Sequence, residues 1–308
     1  MLYLGELCAV ATAVCWTGSS MAFAVASRAV GGVATNQFRL LVAAPVLLAL
    51  AWLVTGSPWP VELPAHRLGL LAWSGVVGLV LGDAGYFHAL ATIGPRVSSV
   101  VMTLWPAFAL ALGTLAGEWP GGREVLGVLV TIAGVVLVLL RSRESTAWRA
   151  GLSRRAWWSG VAGAVVGALG QAGGILLSRA AMAVGPDLPA GGVPLHATVV
   201  RMVCGAGVFF VVAAAQGRVT AAAQVVRDRT ARRGALLGAL FGPVCGVWLS
   251  MIAAHEARSL GAASALMATT PIFMMPAAAF AYRARIGWLG GLGTLVAVGG
   301  AMLCLTGA

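Results

Sequence analysis

Ten apolar stretches follow one another along this chain, each close to the roughly 20 residues that a bilayer-spanning helix needs, with no long polar segment between them. They fall near residues 4–26, 37–55, 68–90, 97–116, 124–140, 157–182, 197–215, 234–254, 261–281 and 287–306. Stretches of that length and apolar character read as spanning helices. Composition agrees: only 9% of residues are charged, against about 25% in soluble domains. The fold class is therefore an all-α polytopic membrane protein. Met1 to Trp16 has no basic segment ahead of its apolar run, so it reads as the start of a first spanning helix, not as a cleaved signal peptide.

The chain also repeats itself. Val97-Ser98-Ser99-Val100-Val101-Met102, then Pro106 and Phe108, returns as Ala262-Ala263-Ser264-Ala265-Leu266-Met267, then Pro271 and Phe273. Gly5, Ala9, Ala13 and Gly18 of the first helix match Gly160, Ala164, Ala168 and Gly173 of the sixth. Arg39 opens the second helix as Arg201 opens the seventh. The repeat divides the chain into a first five-helix half over 1–142, a basic cytoplasmic linker over 143–156, and a second five-helix half over 157–308. Five is odd, so the second half enters the membrane inverted relative to the first. Inverted repeats are the architecture of alternating-access transporters, with the site near the midplane between halves.

The net charge of +11 is all arginine. In a membrane protein it sets orientation, and nucleic acid is not an expected partner. Arginines crowd the loops after odd-numbered helices (Arg28, Arg96, Arg141, Arg154, Arg218, Arg232 and others), whereas Arg67, Arg123, Arg179 and Arg258 follow even-numbered ones. The positive-inside rule places the odd loops in the cytoplasm and both termini outside. The absence of lysine excludes Schiff-base chemistry and a Walker-type phosphate loop. The five cysteines and four histidines show no metal-ligand spacing, so neither a metal nor another cofactor is expected. A membrane aspartyl protease needs a second membrane Asp, and Asp187 and Asp228 fall in loops. Asp83 and His88 lie five residues apart, on different helix faces, which argues against a Ser-His-Asp hydrolase. No channel-like selectivity ring and no nucleotide domain for an ATP-driven pump is evident.

Asp83 is the leading candidate site residue. A carboxylate inside an apolar span costs roughly 3 kcal/mol on insertion scales, so it faces protein or a wet cavity. There it can gain and lose a proton as its surroundings change. Tyr86, three residues on, shares its face and can donate to it. Trp16, Trp105 and Trp248 lie well inside spans and either pack or line a cavity, where they could stack on a flat or cationic substrate. Gln171 occupies Trp16's place in the second half, and its amide needs a partner. Pro106 and Pro271 break helix ladders and read as hinges or as fixed kinks. Glu118, and the His255, Glu256 and Arg258 cluster, read first as capping or solvated groups. Glycine ladders on the third helix (Gly75, Gly78, Gly82, Gly85), the sixth and the eighth (Gly234, Gly238, Gly242, Gly246) allow close backbone approach, as static packing or as sliding surfaces. Gly127, Gly134, Gly293 and Gly300 on helices five and ten are compatible with a homodimer.

Two five-helix halves, Arg39, the paired Pro106 and Pro271, and Gly117-Glu118 closing helix four before Gly127 resemble the EamA type of the drug/metabolite transporter superfamily. The resemblance covers nearly the whole chain. It departs at Tyr282-Arg283, where a Gly-Glu is expected, and in sidedness, since the family implies inside termini. It implies helices one to four and six to nine around a central cavity, with five and ten apart, and export or sometimes uptake of small metabolites. The expectation is a multi-pass secondary transporter of the cell membrane, not an enzyme. It would export a small organic metabolite or drug-like compound by alternating access, proton-linked through Asp83. Its partners are that substrate and the lipid bilayer. The alternatives are an uptake permease and a transport-inactive scaffold.

Overall fold

A computed structural model of the protein describes residues 3–61, 63–115, 119–141, 151–182, 192–256, 263, 266–282 and 287–305. Among these every regular element is helical: α1 (Leu4–Val30), α2 (Gly32–Thr55), α3 (Ala65–Thr92), α4 (Gly94–Thr114), α5 (Gly122–Arg141), α6 (Arg154–Met182), α7 (Gly192–Ala215), α8 (Arg229–Glu256), α9 (Thr270–Tyr282) and α10 (Trp288–Leu305), with a short helix over Ala222–Arg227 between α7 and α8. Eight of them are long and apolar enough to cross a membrane, and Thr270–Ala281 and Trp288–Leu303 are shorter apolar helices. Glu118, Asp187, Arg258, Arg283 and residues 143–150 of the expected linker lie outside the described residues. α6 begins at Arg154, inside that linker.

The main helix contacts have counterparts with the halves exchanged. α3 packs on α6, and α8 packs on α1; α2 packs on α7, and α5 on α10; α4 touches α6 as α9 touches α1. Small residues make this possible. At Gly170 of α6 an added Cβ would lie 2.5 Å from Cα of Gly82 and 2.8 Å from the carbonyl oxygen of Val77. A side chain there would collide with backbone, which cannot move aside. α2 and α7 instead meet through larger groups, Leu40, Leu47, Leu195, Val199 and Met202, all fully buried. The outer surface is as apolar as the core: Leu53, Val211, Leu129 and Phe280 are more than half exposed. Such a surface suits hydrocarbon, where lipid tails are as apolar as leucine.

The glycines on α5 and α10 face each other within the chain. A Cβ at Gly134 would lie 2.3 Å from the backbone nitrogen of Ala297, and one at Gly300 2.3 Å from that of Thr131. They serve this internal contact.

Helix starts differ from the sequence reading in an instructive way. α2 begins at Gly32 and α7 at Gly192, each about five residues earlier than the apolar runs suggest. Near these starts some buried polar side chains bond elsewhere in the protein, whereas both polar side-chain atoms of Asn36 are buried without a partner. Gln37 donates to the carbonyl of Arg218 (3.3 Å) and accepts from the backbone N–H of Ala222 (2.6 Å). His196 Nε2 lies 3.1 Å from the Thr55 hydroxyl and 3.0 Å from the Ser57 carbonyl. Arg39 and Arg201 consequently sit about two turns inside their helices. Arg96 is also a correction to the loop count: it is 7% exposed, and its guanidinium occupies the space where a Cβ on Gly290 of α10 would be. With Arg96 set aside, the arginine bias between odd and even loops keeps its sign.

Candidate substrate cavity

α3 and α8 share a second feature that the repeat did not announce. Residues Val76–Gly82 of α3 and Leu240–Val247 of α8 are π-helical. The wider turn shifts the face that the following residues present, and such segments recur at functional sites. Asp83 follows the first of them directly. Its carboxylate, half-buried at the cavity, accepts from Nη2 of the buried Arg39 on α2, forming an ion pair. The Arg39 guanidinium also lies over the Phe87 ring, 5.2 Å from its centroid, and Phe87 in turn contacts Phe23 of α1, with centroids 4.9 Å apart. Two partners therefore hold Arg39: a carboxylate and an aromatic face.

The pair forms part of the wall of a cavity between the halves, with about 120 Å³ open to the centres of water-sized molecules. Its lining comes from α1 to α4 and from α6 to α9, and no residue of α5 or α10 contributes among those described. Trp16 of α1 lies against Gly246 of α8, where a Cβ would be 2.8 Å from its ring. Trp105 of α4 is 5% exposed and lines the cavity, as does Gln171 of α6, the counterpart of Trp16.

Of the residues singled out from the sequence, the cavity brings together Asp83, Tyr86, Trp16, Trp105, Gln171 and Pro271. Tyr86 does not bond Asp83. Its hydroxyl is 2.7 Å from that of Ser20 on α1, while the carboxylate accepts from Arg39. Trp248 is not in the lining; it is half-buried against the α2–α7 apolar cluster, one residue past the π-helical segment. His88 bonds Ser159 of α6 at 3.1 Å, and His255 bonds Glu256 at 2.9 Å at the end of α8, both away from the lining.

Pro106 and Pro271 stand at matching breaks. Each is the second residue of a helical segment that restarts after a turn, at Trp105 and at Thr270. Proline has no N–H, so the carbonyl four residues earlier loses its helical donor. At Pro271 that carbonyl, on Met267, accepts instead from the Thr270 hydroxyl at 2.8 Å. Met267 and Met102, the corresponding residue before Pro106, both line the cavity.

Arg39 and Arg201 are the site residues that apolar periodicity passes over. Both are buried, at 5% and 3% exposure, and both line the cavity. The signal was their recurrence at one place in each half; the polar residues before each disguised them as helix ends.

The comparisons with known proteins agree with this architecture. A family model described as the EamA-like transporter family matches twice, over residues 3–140 and 158–306. One solved crystal structure is similar over 99% of this chain and 98% of its own, with a TM-score of 0.62 at 16% identity, a likeness of fold alone. No curated protein matches significantly in sequence. With two family matches that together span nearly the whole chain, and eight helices of both halves around one cavity, the chain belongs to the EamA-like transporter family.

Proposed function

We propose that the protein is a secondary exporter of small organic molecules in the cell membrane, working by alternating access between two inverted halves. The observation that carries this reading is the cavity, walled by the corresponding four helices of each half. Such a cavity opens to one side or the other when one half rocks against its counterpart. The close α3–α6 and α8–α1 contacts, built on glycine, are the surfaces along which that motion runs. The breaks at Pro106 and Pro271 let the halves of α4 and α9 tilt separately.

Asp83 couples transport to protons. Protonation would remove the charge that holds Arg39 and loosen α2 from α3, which biases the equilibrium between the two openings. The test compares small molecules in the medium of cells expressing the wild type, Asp83→Asn, or no protein. A compound class that accumulates outside only with the wild type supports export that depends on Asp83. Export by both forms removes the coupling role and leaves the exporter. Depletion from the medium would make the protein an uptake permease, and no change with protein present in the membrane would make it a scaffold.

A further inference from the structure

Arg201 holds the place in α7 that Arg39 holds in α2, and it is the more deeply buried of the two. Its surroundings differ. Where Asp83 follows the π-helical segment of α3, the end of the matching segment of α8 offers Val247, which lines the cavity, and then Trp248, and neither carries a charge. Arg201 has no carboxylate within ion-pair distance among the described residues. Its Nη1 reaches only the sulfur of Met251, a weak acceptor, at 3.3 Å, and its Nε has no hydrogen-bond partner. Asp83 is near enough for the two charges to interact, but Arg39 holds its carboxylate.

Room has been left for this head group. Nη2 of Arg201 lies 3.2 Å from where a Cβ would stand on Gly78 of α3, and 3.2 Å from one on Gly174 of α6. Side chains at either place would press on the guanidinium. A buried guanidinium carries a desolvation penalty of several kcal/mol unless an anion and hydrogen bonds compensate it. The charged side chains of the lining are Arg39, Asp83 and Arg201, which leaves one positive charge without a counterpart. The rest of the wall combines rings (Trp16, Phe23, Tyr86, Phe87 and Trp105) with short polar side chains such as Ser19, Ser20, Thr103 and Gln171.

We infer that the substrate supplies the missing anion: the molecule carried is a monoanionic organic carboxylate with a ring-bearing body, anchored through its carboxylate on Arg201. This rests on the reading of the chain as a transporter of small organic molecules. One unpaired guanidinium matches one negative charge, in the two-oxygen geometry that Arg favours. A phosphate monoester, carrying about −1.5 to −2, would leave excess negative charge in a low-dielectric cavity.

The test uses the full-length chain in detergent micelles, with tryptophan fluorescence, to which Trp16 and Trp105 contribute from the cavity wall, and the thermal midpoint as readouts. The probes are phenylacetate, phenylacetamide, phenethylammonium, phenyl phosphate and sodium chloride. Phenylacetate is expected to quench fluorescence and raise the midpoint, with the amide and the ammonium at least tenfold weaker. Arg201→Gln should weaken phenylacetate binding at least tenfold, and Arg201→Lys less. Val247→Asp, which keeps Arg201 and gives it an internal partner, should also weaken it at least tenfold, and it decides the matter if Arg201→Gln fails to fold. Equal binding of the amide, unchanged binding in Val247→Asp, tighter binding of phenyl phosphate, or a response to chloride as large as to phenylacetate would each overturn the assignment. The two readings fail separately. Export of only neutral or cationic compounds by cells leaves the transporter and removes the carboxylate anchor. Phenylacetate binding lost in Arg201→Gln, in a protein that moves nothing, leaves the anchor and removes the transporter.

Discussion

Arg39 and Arg201 occupy matching places in the two halves and meet different neighbours. Arg39 is held by Asp83 and stacked over Phe87; Arg201 meets Met251 and the bare backbone at Gly78 and Gly174. The helix contacts around them differ in the same sense. At Gly82 with Gly170 and at Gly85 with Gly163, α3 meets α6 backbone against backbone, whereas Gly238, Gly242 and Gly246 of α8 meet side chains of α1, with Gly234 meeting backbone at Ala22: a Cβ on Gly238 would lie 2.5 Å from the Phe23 ring. A duplicated fold can thus keep its helix contacts while giving its two halves separate chemical tasks. The first half supplies an internally neutralised pair suited to gating; the second supplies a cation suited to a ligand.

The largest effect should come from breaking the pair on one side only. Asp83→Ala leaves Arg39 buried without its anion and should destabilise the protein by about 3–5 kcal/mol. The double variant Arg39→Met with Asp83→Leu should recover most of that. Thermal midpoints in micelles check both, and a double variant no more stable than Asp83→Ala would show that the pair contributes more than charge compensation. Next comes the contrast between glycine contacts. Gly170→Ala drives a methyl into backbone and should cost about 1–3 kcal/mol. Gly238→Ala should cost less, since the Phe23 ring can turn. Equal losses would mean that the α8–α1 contact is as rigid as the α3–α6 one. The smallest effect is Tyr86→Phe, which removes the bond to Ser20 and should cost about 1 kcal/mol. Export should persist; if it is abolished at unchanged stability, the hydroxyl touches substrate.

Much of the fold is legible from residues alone because lipid permits few backbone solutions. Apolar runs of spanning length, a repeated Pro and Phe spacing, and recurring glycines suffice to place ten helices in two halves. The site is legible in part. Asp83, Trp16, Trp105 and Gln171 stand out because polar or bulky groups are costly inside a span, and the cavity is where such groups find water or partners. Trp248 shows the limit: one residue along a helix turns a side chain by about 100°, and the π-helical segment before it shifts that face further. Tyr86 shows another, since proximity along a helix cannot tell that Arg39 reaches Asp83 first.

The sequence by itself determined the class, the helices, the duplication and the family, because each follows from local hydrophobicity and from spacing along the chain. Which arginines leave the loops for the interior, which carboxylate meets which guanidinium, and which guanidinium is left without a carboxylate were decided only in the tertiary structure. Those choices depend on close backbone approach at Gly82 and Gly170 and on room at Gly78 and Gly174, between helices nearly a hundred residues apart in the chain. Coulombic pairing falls off over a few ångströms, so it follows from distances across the fold, which spacing along the chain does not encode.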